Sequence, residues 1–330
     1  MARPSKSPIR MAMLDLRQLP VRLDLAAAES GLGFALRALR ANGIAFEQGI
    51  QWLGLERHRP LDTAVARRIA WSLNVDADEF GSRVVTRDPA AGQGWVRYAG
   101  MRFRRHVATN RLYAKVCPQC LREHGITRLS WQLRATVGCF RHGYSLIWSC
   151  PHCGQAIGWD RPDVDVCRCG RHIKPQDAPP VERAVQSWLC WLEAALSGDN
   201  AVLVSEPLPP ALLHLSLDGA FGIVEALGIC AAPGRSVRAA LSNCKTLPEL
   251  GAVVHRGLER LRAIEADAGV LMRCAEVVNH PALARLATDG STDEDRALAW
   301  WLLQGMRSGV DHGNTRAGGR PRGQLPLFIA

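Results

Sequence analysis

No apolar run in this 330-residue chain approaches the roughly 18 residues that a membrane span requires, so no membrane-spanning protein is expected. A secretory leader is not expected either. Residues 1–22 are interrupted by Arg3, Lys6, Arg10, Asp15 and Arg17 and hold no long apolar core, which predicts a cytoplasmic protein. The short patterns of common catalytic sites are also missing. There is no G-x-x-x-x-G-K-S/T phosphate loop, no H-E-x-x-H, no G-x-S-x-G, and no pair of carboxylates set for acid–base work. His106, His255 and His280 stand isolated and read as structural, so the chain is not expected to be an enzyme. Tandem repeats are lacking as well. With 47% apolar and 22% charged residues the chain is neither disordered nor fibrous, and its length allows two or three domains with real cores.

What the chain has is positive charge and clustered cysteine. Lys and Arg number 41 against 31 Asp and Glu, a net charge of +10 that favours a polyanionic partner. Of 11 cysteines, Cys190, Cys230, Cys244 and Cys274 are scattered singly among apolar residues and read as small buried hydrophobes. The other seven fall between 117 and 169. In a reducing compartment, clustered thiols indicate metal rather than disulfides.

These cysteines arrive in pairs: CPQC at 117–120, CFRH at 139–142, CPHC at 150–153 and CRC at 167–169. A C-x-x-C knuckle aims two thiolates at one ion, and a second pair completes a tetrahedron. Pairing in chain order predicts one zinc on Cys117, Cys120, Cys139 and His142, and another on Cys150, Cys153, Cys167 and Cys169, with His172 as the alternative to Cys169. Four protein ligands leave no open position for water or substrate, so both Zn2+ ions would be structural. An iron–sulfur cluster is disfavoured by His142.

The expected fold is mainly α in three parts and a tail. Residues 1–85 read as an N-terminal helix-turn-helix domain: helical spacing at Leu32, Ala35, Leu36 and Leu39, a stop at Asn42-Gly43, and helices through Phe46–Leu55, Leu61–Leu73 and Asp76–Gly81. Residues 86–175 form a tandem zinc-binding module of short hairpins and knuckles, with one helix through Trp131. Prolines 175, 179 and 180 then break the chain. Residues 176–306 form an all-helical C-terminal domain, with helices beginning near Val181 and at 218–228, 235–243, 247–264, 267–278 and 293–305. Residues 307–330, rich in Gly and Arg, read as a flexible basic tail.

Between 83 and 174 there are about sixteen positive side chains against five negative, a surplus that two zinc–thiolate sites reduce by about three. Arg102, Arg104, Arg105 and Lys115, just ahead of the first knuckle, are the candidate phosphate contacts for DNA or RNA.

Two stretches resemble the TniQ family, transposition target-selection proteins that include the TnsD-type selectors. LPVRLDLAAAESGLGFALRALRANG is similar to that family's opening, through Glu29, Ser30, Arg37 and Asn42-Gly43. VCPQCLREHGITRLSWQLRATVGCFRHGYSLIWSCPHCG resembles its cysteine block, through Cys117, Pro118, Cys120, Leu121, Trp131, Cys139, His142, Gly143, Leu146, Cys150, Pro151, Cys153 and Gly154. The C-x-C at 167–169 is shorter than the family's usual last pair, and the chain is shorter than many selectors. The resemblance implies a non-enzymatic adaptor that links a target to an AAA+ transposition ATPase of the TniB/TnsC type. The target would be DNA itself or an RNA-guided CRISPR effector complex. A second copy of the chain, in a homodimer, is a further partner foreseen. The competing expectation is a zinc-containing helix-turn-helix transcription regulator without an ATPase partner.

Overall fold

The computed structural model describes residues 17–53, 60–88, 90, 94–104, 114–174, 178–197, 207–229 and 246–311. Four helices come first: α1 (Gly31–Ala41), α2 (Phe46–Leu53), α3 (Thr63–Ser72) and α4 (Ala77–Arg83). Ser30 caps α1 by accepting from the Gly33 amide, and Asp76 caps α4 by accepting from two amides of its first turn. The stop at Asn42-Gly43 has a physical basis, since Gly43 sits at φ 70° and the Asn42 side chain bonds both backbone groups of Val21. The lead-in is thereby clasped against the end of α1.

A three-stranded antiparallel sheet follows, β1 (Thr86–Arg87), β2 (Trp95–Tyr98) and β3 (Met101–Arg104), in that order. Strands β2 and β3 are joined by Ala99-Gly100 at φ 51° and 74°, the two positive values that a tight hairpin turn needs. Val96, Tyr98 and Phe103 face inward, while Arg97 and Arg102 stand opposite one another on the outer face.

Helix α5 (Pro118–His124) lies within the cysteine-rich stretch, where hairpins and knuckles and a helix only through Trp131 were expected. Cys117 is its N-cap residue, Pro118 opens it, and Gly125 ends it in the left-handed region at φ 63°. The helix expected through Trp131 is a three-residue 3-10 turn, Ser130–Gln132. The remainder is helical: α6 (Arg183–Ser197), α7 (Leu217–Gly228), α8 (Leu247–Ala266), α9 (Val270–Cys274), α10 (His280–Asp289) and α11 (Asp293–Asp311). The helix expected over 267–278 shrinks to α9, and α10 was not anticipated. Asn279 caps α10 and Pro281 sits in its first turn, where a missing N–H costs nothing, so the proline opens this helix. The stretch 235–243 and most of the basic tail lie outside the described residues.

The hydrophobic cores do not follow chain order. One unites α1–α4 with the cysteine-rich stretch, including Phe34, Leu39, Ile69, Phe80, Val116, Cys120, Trp131 and Cys139. The other unites Val96, Tyr98 and Phe103 of the sheet with α6–α11, around Trp188, Phe221, Leu258 and Leu302. Within it α7 and α8 touch backbone to backbone. A Cβ at Gly257 would lie 2.1 Å from the Val224 carbonyl oxygen, and one at Gly228 would lie 1.9 Å from that of Val253. Gly257→Ala is therefore expected to cost about 3 kcal/mol by forcing the helices apart; a urea melt with an unchanged midpoint would contradict this packing.

Candidate metal centres and the surface around them

The first donor group is assembled from two turns. Helix α5 carries Cys120 one turn after Cys117. The turn 139–143 carries Cys139 and His142, closed by Gly143 at φ 68°, whose amide donates to the Cys139 carbonyl. The same device recurs after the second ligand of each later pair, at Gly154 (φ 68°) and Gly170 (φ 80°). A glycine is needed there because the chain must reverse in the left-handed region directly behind a ligand.

His142 Nδ1 lies 3.4 Å from Cys117 Sγ, 3.3 Å from Cys120 Sγ and 3.4 Å from Cys139 Sγ, and the Cys120 and Cys139 sulfurs are 3.5 Å apart. In the second group Cys150 and Cys169 are 3.9 Å apart, and Cys153 and Cys167 are 3.8 Å apart. Within each set of four, all donor atoms lie within 4.8 Å of one another. A tetrahedron with Zn–S bonds of about 2.3 Å has S···S edges of about 3.8 Å. Both groups therefore have the size and the donor chemistry for one four-coordinate ion each. Cys169 completes the second group, whereas His172 Nδ1 is 3.0 Å from Asp165 Oδ2 and stands outside it.

Three thiols crowded around an imidazole cannot all be anionic by themselves. Hydrogen bonds from Cys120 and Cys139 push the Cys117 thiol well below its usual range, and the same sharing, reinforced by burial, pushes Cys120 and Cys139 up. A cation bound by all three thiols would therefore release protons as it binds. The two groups differ in access, since Cys117, Cys120 and Cys139 are buried while Cys153 and Cys169 are exposed. Cys190 and Cys274 are buried away from both groups, as expected of apolar thiols, and Cys230 and Cys244 lie outside the described residues.

Glu123 was not anticipated from the sequence. Its Oε1 is 3.0 Å from His142 Nε2, so the carboxylate fixes the ring with Nδ1 turned to the sulfurs. Its position was the available signal, one helical turn after Cys120. Glu123→Gln is expected to weaken metal binding by about 10- to 100-fold with the fold retained; competition against a chromophoric zinc chelator measures this.

Of the four expected phosphate contacts, burial removes two. Arg104 is 9% exposed, and its backbone N and Nε donate to the two carboxylate oxygens of Asp218 at 2.9 and 2.8 Å. Lys115 is 3% exposed and its Nζ donates to the carbonyls of Leu133, Arg134 and Thr136. Burial, aided by the charge of Arg134, pushes that ammonium down to about 7. Both side chains serve the interior, because a buried cation must spend its donors on internal acceptors. Arg102 reaches the surface, with Nε 2.8 Å from Asp88 Oδ2, and Arg105 lies outside the described residues. Arg128 and Arg161 are also buried: Arg128 pairs with Glu193 in α6, and Arg161 lies over the Trp159 ring and donates to two backbone carbonyls. The surplus positive charge of this stretch is thus partly a bonding resource of the interior.

The residues of the opening stretch are structural too. Arg37 forms a two-pronged pair with fully buried Glu29, at 2.8 and 2.6 Å. Ser30 shares a 2.9 Å hydrogen bond with Thr127, and the backbones of 28–30 bond those of 127–129. Helix α1 is thereby stitched to the segment between α5 and the second knuckle. Compared with known proteins, residues 20–146 match the family model TniQ, a span that includes α1–α5 and the first donor group and ends before Cys150. No curated protein matches the chain.

Proposed function

From the match of residues 20–146 to the TniQ family model, we propose a TniQ-type, non-enzymatic adaptor of DNA transposition, stabilised by two Zn2+ ions, that links a target to an AAA+ transposition ATPase. The observation that carries this reading is that the matched segment contains the first donor group together with the elements that hold it. The capped helix α1, the Glu29–Arg37 pair, the Ser30–Thr127 stitch and the first donor group all fall within 20–146, and α1 and the donor cysteines share one hydrophobic core, which runs on through Cys150, Cys167 and Ile173. The metal would hold that unit in shape. Cys117, Cys120, Cys139 and His142 would bind one ion and Cys150, Cys153, Cys167 and Cys169 the other, each as a closed shell that supplies folding energy rather than a reactive water.

An adaptor needs surfaces more than a cleft with aligned acids and bases, and the helices on either side of the metal unit provide them. The N-terminal helices and the C-terminal bundle would contact different partners, the ATPase on one side and the target on the other. The direct test is co-purification of the chain with a transposition ATPase encoded beside it, together with elemental analysis of the purified protein. Stable co-elution with about two zinc per chain is the expected result. A chain that ignores the ATPase and instead represses a promoter would be a transcription regulator.

A further inference from the structure

A cleft of about 300 Å³ opens between α3, α4 and the sheet, lined in part by Thr63, Arg67, Ser82, Arg87 and Arg97. Three guanidinium groups from three elements, α3, β1 and β2, converge on it, and Asp78 is the one acid in its lining. Arg67 and its neighbour Arg68 are exposed and have no ion-pair partner among the described residues. Arg87 is 3.2 Å from Asp62, with both side chains more than half exposed to solvent. Arg97 must share the buried Asp88 carboxylate with Arg102, at 3.5 and 2.8 Å respectively, so a single negative charge faces two guanidinium groups. Along α3, Thr63, Arg67 and Trp71 form one outward stripe at four-residue spacing, and the Trp71 side chain is 51% exposed.

We propose that this cleft and the outward stripe of α3 seat duplex DNA, with Arg67, Arg87 and Arg97 on the phosphate backbone. Converging guanidiniums beside hydroxyls are the chemistry of phosphate recognition, and two of the arginines have only partial counter-ions to surrender. The shape selects a duplex over a flexible acidic peptide. An exposed helix of ten residues fits the major groove, about 12 Å wide, while the recess beside it receives the adjoining backbone. The inference rests on the adaptor reading only in taking DNA as the polyanion.

The test uses the full chain with its zinc and a fluorescent random-sequence duplex, titrated by anisotropy across a salt series. Arg67→Glu combined with Arg97→Glu is expected to weaken binding at least tenfold and to lower the slope of log affinity against log salt by about two. Arg273→Glu with Arg285→Glu, the same charge change on α9 and α10, is expected to do far less. Zinc content and melting temperature report whether each variant is folded. If the first pair melts early, Arg67→Gln with Arg68→Gln removes charge from two exposed side chains and should still lower the slope. Wild-type affinity in the cleft variant, equal losses in both charge-reversal pairs, or no salt-sensitive binding by the wild type would each overturn the proposal. None of these outcomes bears on co-elution with the ATPase, so the adaptor reading stands or falls separately.

Discussion

Cys139→Ser is expected to remove about one of two zinc ions and to abolish cooperative unfolding of the body built on α1–α4. Cys139 is fully buried in the same hydrophobic cluster as Phe34, Ile69 and Phe80, so losing the ion exposes the thiols and imidazole of the first group inside that core. Apparent binding energies of structural zinc, about 10–16 kcal/mol, are as large as the roughly 5–15 kcal/mol net stability of a whole domain. The second group should respond differently. Cys153 and Cys169 are exposed, so Cys153→Ser should also cost one zinc but shift the melt less, and a chelator should strip the second group first. Elemental analysis, thermal melts followed by circular dichroism, and mass spectrometry of alkylated thiols during chelation read these outcomes. A Cys139→Ser protein that keeps both ions and its melting temperature would contradict the assignment. The pH dependence has a definite sign. Cys139 is pushed up to about 12, chiefly by its hydrogen bond with Cys117, so zinc must displace its proton and affinity rises with pH.

Asp218→Ala should destabilise the C-terminal core by about 3–5 kcal/mol, because it leaves the Arg104 guanidinium buried without its counter-ion. The pair is the polar link between β3 and the first turn of α7, and Asp218 is itself fully buried. Burial pushes the Asp218 carboxyl up despite the opposing pull of Arg104, as expected when desolvation is only partly compensated. The double change Asp218→Leu with Arg104→Met should recover much of the loss, since a well-packed apolar pair replaces an expensive ionic one. Urea melts of the single and double variants measure the coupling. The result also bears on DNA binding: weakened binding in an Arg104→Glu protein would report a damaged fold rather than a lost phosphate contact.

The cysteine pairs were legible because ligand spacing is local. Knuckles at 117–120, 139–142, 150–153 and 167–169 each need only a tight turn, and a glycine directly behind three of them marks where that turn reverses. Helices α1, α3, α7, α8 and α11 were legible for a similar reason, since a stripe of apolar residues at helical spacing acts within a few turns, helped in α1, α7 and α8 by a capping Ser or Thr. Helix α10 escaped notice because Pro281 reads as a breaker until its place in the first turn is known.

Which arginines face outward was not legible at all. Arg102 and Arg104 are two residues apart in one strand, yet one reaches solvent while pairing with Asp88 and the other is buried against Asp218. Nothing near them in the chain announces a partner 114 residues away. The same holds for Glu29–Arg37 and Ser30–Thr127, where the short pair belongs to local sequence and the long stitch belongs to packing. Donor identity, turn chemistry and helix periodicity act over a handful of residues, so the order of amino acids sufficed to specify two four-ligand groups and most of the helices. Charge burial, the joining of the sheet to α6–α11, and the convergence of Arg67, Arg87 and Arg97 on one cleft depend on which distant segments pack together. Those were decided only when the two cores closed, because desolvation acts on a side chain through all its spatial neighbours at once.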